Sequence, residues 1–131
     1  MENSKSVAVL GGGSFGTVLA NLAASNGYNV SLWVRDSEQA LRINSEGANT
    51  TYHPELKLSK NIIASDNLKE VLNNKSIIFI ATPSIVFEQI VIRVSDYIDE
   101  KPYLVSCTKG ILDDPFRPLS DIISSKLNNT I

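Results

Sequence analysis

The chain has 131 residues, 43% hydrophobic and 20% charged, which suffices for one domain with a buried core and excludes a disordered polymer. A formal net charge of −2 lacks the basic surplus of a nucleic-acid binder, so any anionic ligand must be held by a local arrangement of groups. The lone cysteine, Cys107, cannot close an internal disulfide, and the apolar run after Met1–Lys5 is too short for a signal-peptide core or membrane span; a soluble cytoplasmic protein is expected.

Strand-like and helix-like segments alternate from the start. Val7–Leu10 is a continuous apolar run ending at glycine, the pattern of a strand buried on both faces. From Ser14 the period changes. Phe15, Val18, Leu19 and Leu22 fall at i, i+3, i+4 and i+7, one stripe of a helix that Gly27 stops. Val30–Val34 is the next strand, and a second helix starts at Asp36, which has capping-box spacing to Gln39. Residues from about Asn44 to Asn61 lack periodicity and contain Pro54, which predicts a long loop.

Ile62–Ala64 reads as a short strand, and Leu68, Val71 and Leu72 as the apolar positions of a short helix. Ile77–Ala81 is the clearest buried strand in the chain. Thr82–Pro83 suits a helix start, with the hydroxyl as cap and proline in the first helical position, and Phe87, Ile90, Val91 and Val94 form that helix's inner stripe. Tyr103–Cys107 is another strand, with Cys107 a buried packing residue. Asp113–Asp114 before Pro115 predicts a turn, since two adjacent carboxylates lack the partners a metal needs, and Leu119, Ile122, Ile123 and Leu127 mark a last helix.

This rhythm defines an α/β domain with a doubly wound parallel sheet, Rossmann-like, in which ligands bind at the carboxyl ends of the strands where the winding reverses. The loops after Leu10, Val34, Ala81 and Cys107 are therefore where chemistry is expected. The first of them is Gly11-Gly12-Gly13-Ser14-Phe15-Gly16, flanked by a buried strand and an amphipathic helix. Gly11 permits the tight turn, Gly13 lets a pyrophosphate approach the backbone, and Gly16 lets helix and strand pack closely. The phosphates would rest on helix N-terminal amides, which carry roughly half a positive charge. About twenty residues on, where an acid selects NAD and an arginine NADP, Arg35 and Asp36 stand side by side. Asp36 is engaged as a helix cap, so Arg35 is expected to meet the cofactor and NADP is preferred, with NAD still open. Lys109, in Thr108-Lys109-Gly110, emerges at the same sheet edge, as a candidate for a phosphate or carbonyl.

With the glycine loop, Leu32-Trp33-Val34-Arg35-Asp36, Pro83-Ser84 and Thr108-Lys109-Gly110 in this order, the chain resembles the bacterial NAD(P)-dependent glycerol-3-phosphate dehydrogenases over nearly its whole length. The resemblance implies hydride transfer between NAD(P)H and dihydroxyacetone phosphate, giving sn-glycerol 3-phosphate for phospholipid synthesis. It also implies that Ser14 and Phe15 contact the cofactor, that Arg35 meets its adenosine ribose end, and that Lys109 is shared by cofactor and phosphorylated substrate. Tyr52 matches an aromatic cofactor-side position, whereas His53 departs from the aliphatic residue usual beside it and is read as an exposed loop side chain.

The proton-transferring lysine of that family lies in a later helical domain. Residues 1–131 are therefore expected to be an NAD(P)-binding domain, incomplete by a strand and helix, inactive alone and part of a homodimer when full length. Its strand near Tyr103 would then be an exposed edge. Three readings compete with this one: a related dehydrogenase such as a ketopantoate reductase, an NAD(P)-sensing module without turnover, and a glycine turn that binds no nucleotide.

Overall fold

The structure, a computed structural model, describes residues 6–50, 55–98, 102–107, 111–113 and 116–118. Five parallel strands form the main sheet: β1 (Ser6–Leu10), β2 (Asn29–Trp33), β3 (Ile62–Ser65), β4 (Ile77–Ile80) and β5 (Tyr103–Ser106). Their spatial order is β3-β2-β1-β4-β5. The first strand is central, with Val7 opposite Val30 on one side and Ile77 on the other. That order reverses direction at β1, the doubly wound arrangement expected from the alternation of elements.

Helices α1 (Ser14–Ser25), α2 (Ser37–Glu46), α3 (Leu68–Leu72) and α4 (Ser84–Tyr97) connect the strands. Alternate residues of β1 serve opposite layers. Val7 and Val9 pack with Ala20 and Ala24 of α1 and Ile43 of α2, whereas Ala8 and Leu10 pack with Val71 of α3 and Phe87 and Val91 of α4. A strand with period two must be apolar at every position when helices cover both faces, which is why β1 reads as an unbroken run.

Several local expectations hold and several shift. Asp36 caps α2, its Oδ1 accepting from the Glu38 N–H at 3.0 Å. Gln39 is aimed across to the glycine loop instead of back at the cap. The second helix runs to Glu46 and ends on Gly47 with φ of 68°, so its last turn takes Asn44, Ser45 and Glu46 from the stretch read as loop. Asn44 sits in that extra turn because its amide exchanges two hydrogen bonds with the Ala64 backbone, both 2.8 Å, which ties α2 to β3. At α4, Pro83 and not Thr82 holds the cap position, with no side-chain cap bond, so the expected hydroxyl cap is not used.

Strand β5 is the edge of the sheet among the described residues. Beyond it, β6 (Ile111–Asp113) and β7 (Phe116–Pro118) pair antiparallel on either side of 114–115, where a turn was expected but these strands were not. The expected last helix, around Leu119 to Leu127, lies outside the described residues. No helix among the described residues is long and apolar enough to cross a membrane.

Candidate functional site

The carboxyl ends of β1, β2, β4 and β5 are stitched together one residue past the strands. The Gly11 N–H donates to Trp33 O at 2.9 Å, the Ala81 N–H to Leu10 O at 2.9 Å, and the Cys107 N–H to Ile80 O at 2.8 Å. The sheet thus sets where its loops begin, and these loops enclose a cleft of about 600 Å³. Gly11 to Gly16, Trp33 and Arg35 line it from the β1–β2 side, and Ala81, Thr82, Pro83 and Cys107 from the β4–β5 side. Three of the four loops chosen from the sequence meet there, together with Cys107, after which the fourth begins.

The glycine loop explains its own composition. Gly11 has φ of +129°, and a Cβ on it would lie 2.6 Å from the Ala81 carbonyl oxygen. A Cβ on Gly16 would run into the Gly11 carbonyl oxygen, so α1 can start this close to β1 only without a side chain there. Gly12 was not singled out in the sequence, yet a Cβ on it would collide with Val34. Gly13 is different. Nothing lies within 4 Å of where its Cβ would be, so the backbone there is open to a ligand.

Gly13 is also the N-cap of α1, with no side-chain cap bond, and the first turn carries no acidic residue. An uncapped helix N-terminus without nearby carboxylates favours an anion. Ser14 and Phe15, both exposed, stand at the rim of the cleft. These features fit a pyrophosphate.

Arg35 is exposed and lines the cleft, while the neighbouring Asp36 carboxylate is engaged at the head of α2. Trp33 forms the wall, 3% exposed. Its Nε1–H donates to Asp66 O at 3.0 Å, and the Arg93 guanidinium lies 5.7 Å from its ring centroid. Donor and cation together hold the indole plane; the exposed cation–π contact contributes about 0.5–1 kcal/mol. Cys107, read as a buried strand residue, instead follows β5 and is only partly buried at the cleft. Partial burial raises its thiol pKa and so disfavours the nucleophilic thiolate. Tyr52, His53 and Lys109 lie outside the described residues.

Beneath the loop lies a polar cluster that the sequence did not reveal. Asn49, 1% exposed, donates from Nδ2 to Gly12 O at 2.8 Å and to Thr17 Oγ1 at 2.8 Å. Gln39 donates from Nε2 to the same Gly12 O at 2.9 Å and to Asn49 Oδ1 at 3.2 Å. Thr17 Oγ1 donates to Gly13 O at 2.7 Å. A capping-box candidate, a loop asparagine and a helix threonine give no sign of meeting until the chain is folded.

A doubly wound sheet with a glycine turn and helix N-terminus at its switch point defines a dinucleotide-binding domain of the dehydrogenase type. The family model described as "NAD-dependent glycerol-3-phosphate dehydrogenase N-terminus" matches residues 6–131, and the chain belongs to that family. It is 41% identical over 122 residues to the glycerol-3-phosphate dehydrogenase [NAD(P)+] of Alcanivorax borkumensis, covering 93% of this chain and 36% of that protein. The Acinetobacter baylyi enzyme of the same name is 43% identical over 121 residues, 92% of this chain and 34% of that protein. The crystal structure of glycerol-3-phosphate dehydrogenase from Coxiella burnetii superposes with a TM-score of 0.89 at 31% identity, over 97% of this chain and 39% of that one. The chain therefore spans about a third of the length of the curated relatives it matches.

Proposed function

We propose that this chain is the cofactor-holding part of an NAD(P)-dependent glycerol-3-phosphate dehydrogenase that interconverts dihydroxyacetone phosphate and sn-glycerol 3-phosphate, a reaction that serves phospholipid synthesis. The observation that carries it is the open Gly13 backbone at an uncapped helix N-terminus on the floor of the cleft, in a chain of this family. A bound nicotinamide supplies the hydride. The residues of this chain bind and orient: the glycine loop takes the pyrophosphate, Ser14 and Phe15 border it, and Arg35 takes the 2′-phosphate of NADP. Lys109, two residues past Cys107 of the cleft wall, and Tyr52 are proposed as further contacts, Lys109 to the phosphorylated substrate as well. The proton is supplied by a lysine outside residues 1–131, in a homodimeric full-length protein working in the cytoplasm.

Full-length protein is expected to oxidise NADPH or NADH when given dihydroxyacetone phosphate, followed by loss of nicotinamide absorbance. Activity on ketopantoate but not on that substrate would overturn the reaction while keeping the cofactor. In the same assay Arg35→Asp is expected to raise the KM for NADPH about tenfold or more, as the loss of a charge-assisted phosphate contact implies. The KM for NADH should rise far less. Equal losses for the two would show that Arg35 meets no 2′-phosphate.

A further inference from the structure

We infer that Gln39, Asn49 and Thr17 form a brace that sets the direction in which the peptide planes of the glycine loop face, and thereby the loop's affinity for pyrophosphate. The inference rests on the dinucleotide reading above and deepens it to residues that position the loop, two of them, Thr17 and Asn49, buried beneath it.

In a trans peptide the C=O and the following N–H point in opposite directions. Two donors, Asn49 Nδ2 from beneath the loop and Gln39 Nε2 from the border of the cleft, converge on the Gly12 carbonyl oxygen. Two more, the Thr17 N–H at 3.0 Å and its hydroxyl, converge on the Gly13 oxygen. Each held carbonyl turns the N–H of its own peptide, that of Gly13 and then of Ser14, away from the donors that hold it. A flipped Gly12–Gly13 peptide would present an oxygen to a phosphate where the braced one presents an N–H.

Consecutive glycines are the residues least able to resist such a flip by themselves. Gly13 in particular has no neighbour that would confine it. The restraint must come from elsewhere, and here it comes from side chains 27 and 37 residues away in sequence. Asn49 is suited to the task because its amide is saturated: both Nδ2 hydrogens and Oδ1 are engaged, which leaves one orientation of the side chain. Its place is set in turn by the left-handed Gly47 that ends α2 and by the Leu58 N–H bond of 2.7 Å to Gly47 O. Donors fixed before the ligand arrives bind an anion more tightly than donors that must first be ordered.

The test uses the full chain with ADP and adenosine as probes, titrated by NMR. Asn49→Ala and Gln39→Met are each expected to raise the Kd for ADP, Asn49→Ala by about tenfold. Both should leave the Kd for adenosine within about twofold, since only the pyrophosphate meets the braced amides. A general loosening of the fold would weaken both probes alike, and that outcome overturns the brace. If Asn49→Ala does not fold, Gln39→Met, whose side chain leaves from the partly exposed side of α2, decides the matter. A wild-type chain that binds ADP no more tightly than its variants do overturns the brace alone. A wild-type chain that binds neither ADP nor NAD(P) overturns the functional reading with it.

Discussion

Helices α1 and α4 carry the same kind of apolar stripe and use it in opposite ways. In α4 the stripe is buried: Phe87, Val91 and Val94 are all fully inaccessible against the sheet. In α1 most of it points outward, with Phe15 58%, Val18 43% and Leu22 60% exposed and Leu19 alone of the four packed against the core. What α1 turns to the sheet is Gly16, Thr17, Ala20 and Ala24. The reason is distance. The first helix must begin where the glycine loop leaves β1, with Gly16 against the Gly11 carbonyl, and only small residues fit a helix held that close. The fourth helix has no such loop to serve and fills an ordinary layer with large side chains. Apolar periodicity locates a helix, but the closeness of its neighbour decides which face is buried.

The contrast can be broken most easily at its strongest point. Phe87→Ala should cost about 3–5 kcal/mol of stability by the cavity it leaves, measured by denaturant unfolding. A loss near zero would mean that α4 does not pack as described. Gly16→Ala should cost about 1–3 kcal/mol, because one methyl must push α1 off the strand end. It should also weaken ADP binding, since the loop moves with the helix. Full retention of both would show that the close approach of α1 is not required. Leu22→Gln should change stability by no more than about 0.5 kcal/mol, as for an exposed position. A cost of several times that in the same unfolding experiment would place the outward stripe against something that buries it.

Much of the site could be read before folding was considered. The loops expected to carry chemistry follow from the strand ends Leu10, Val34, Ala81 and Cys107, and the structure brings the first three loops and Cys107 itself together around the cleft. Asp36 as a helix cap was legible for the same reason as Gly11 as a turn: both roles depend on residues adjacent in sequence. Cys107 and Thr82 were placed less well. A strand's last residue and a helix's first are decided by which neighbouring carbonyl is within reach, and Cys107 continues toward Ile80 after its side chain has left the core. The β6–β7 ribbon escaped notice because three-residue strands are shorter than the run of about four to eight residues over which alternation can be recognised.

By itself, the order of residues determined the class of fold and the glycine loop that lines the cleft, because strand burial, helix period and glycine turns are local properties of a chain. Only the tertiary structure decided that α1 faces inward with its small residues and that Gln39, Asn49 and Thr17 converge beneath the loop. Those outcomes depend on distances between segments far apart in sequence, which no short stretch of residues can encode.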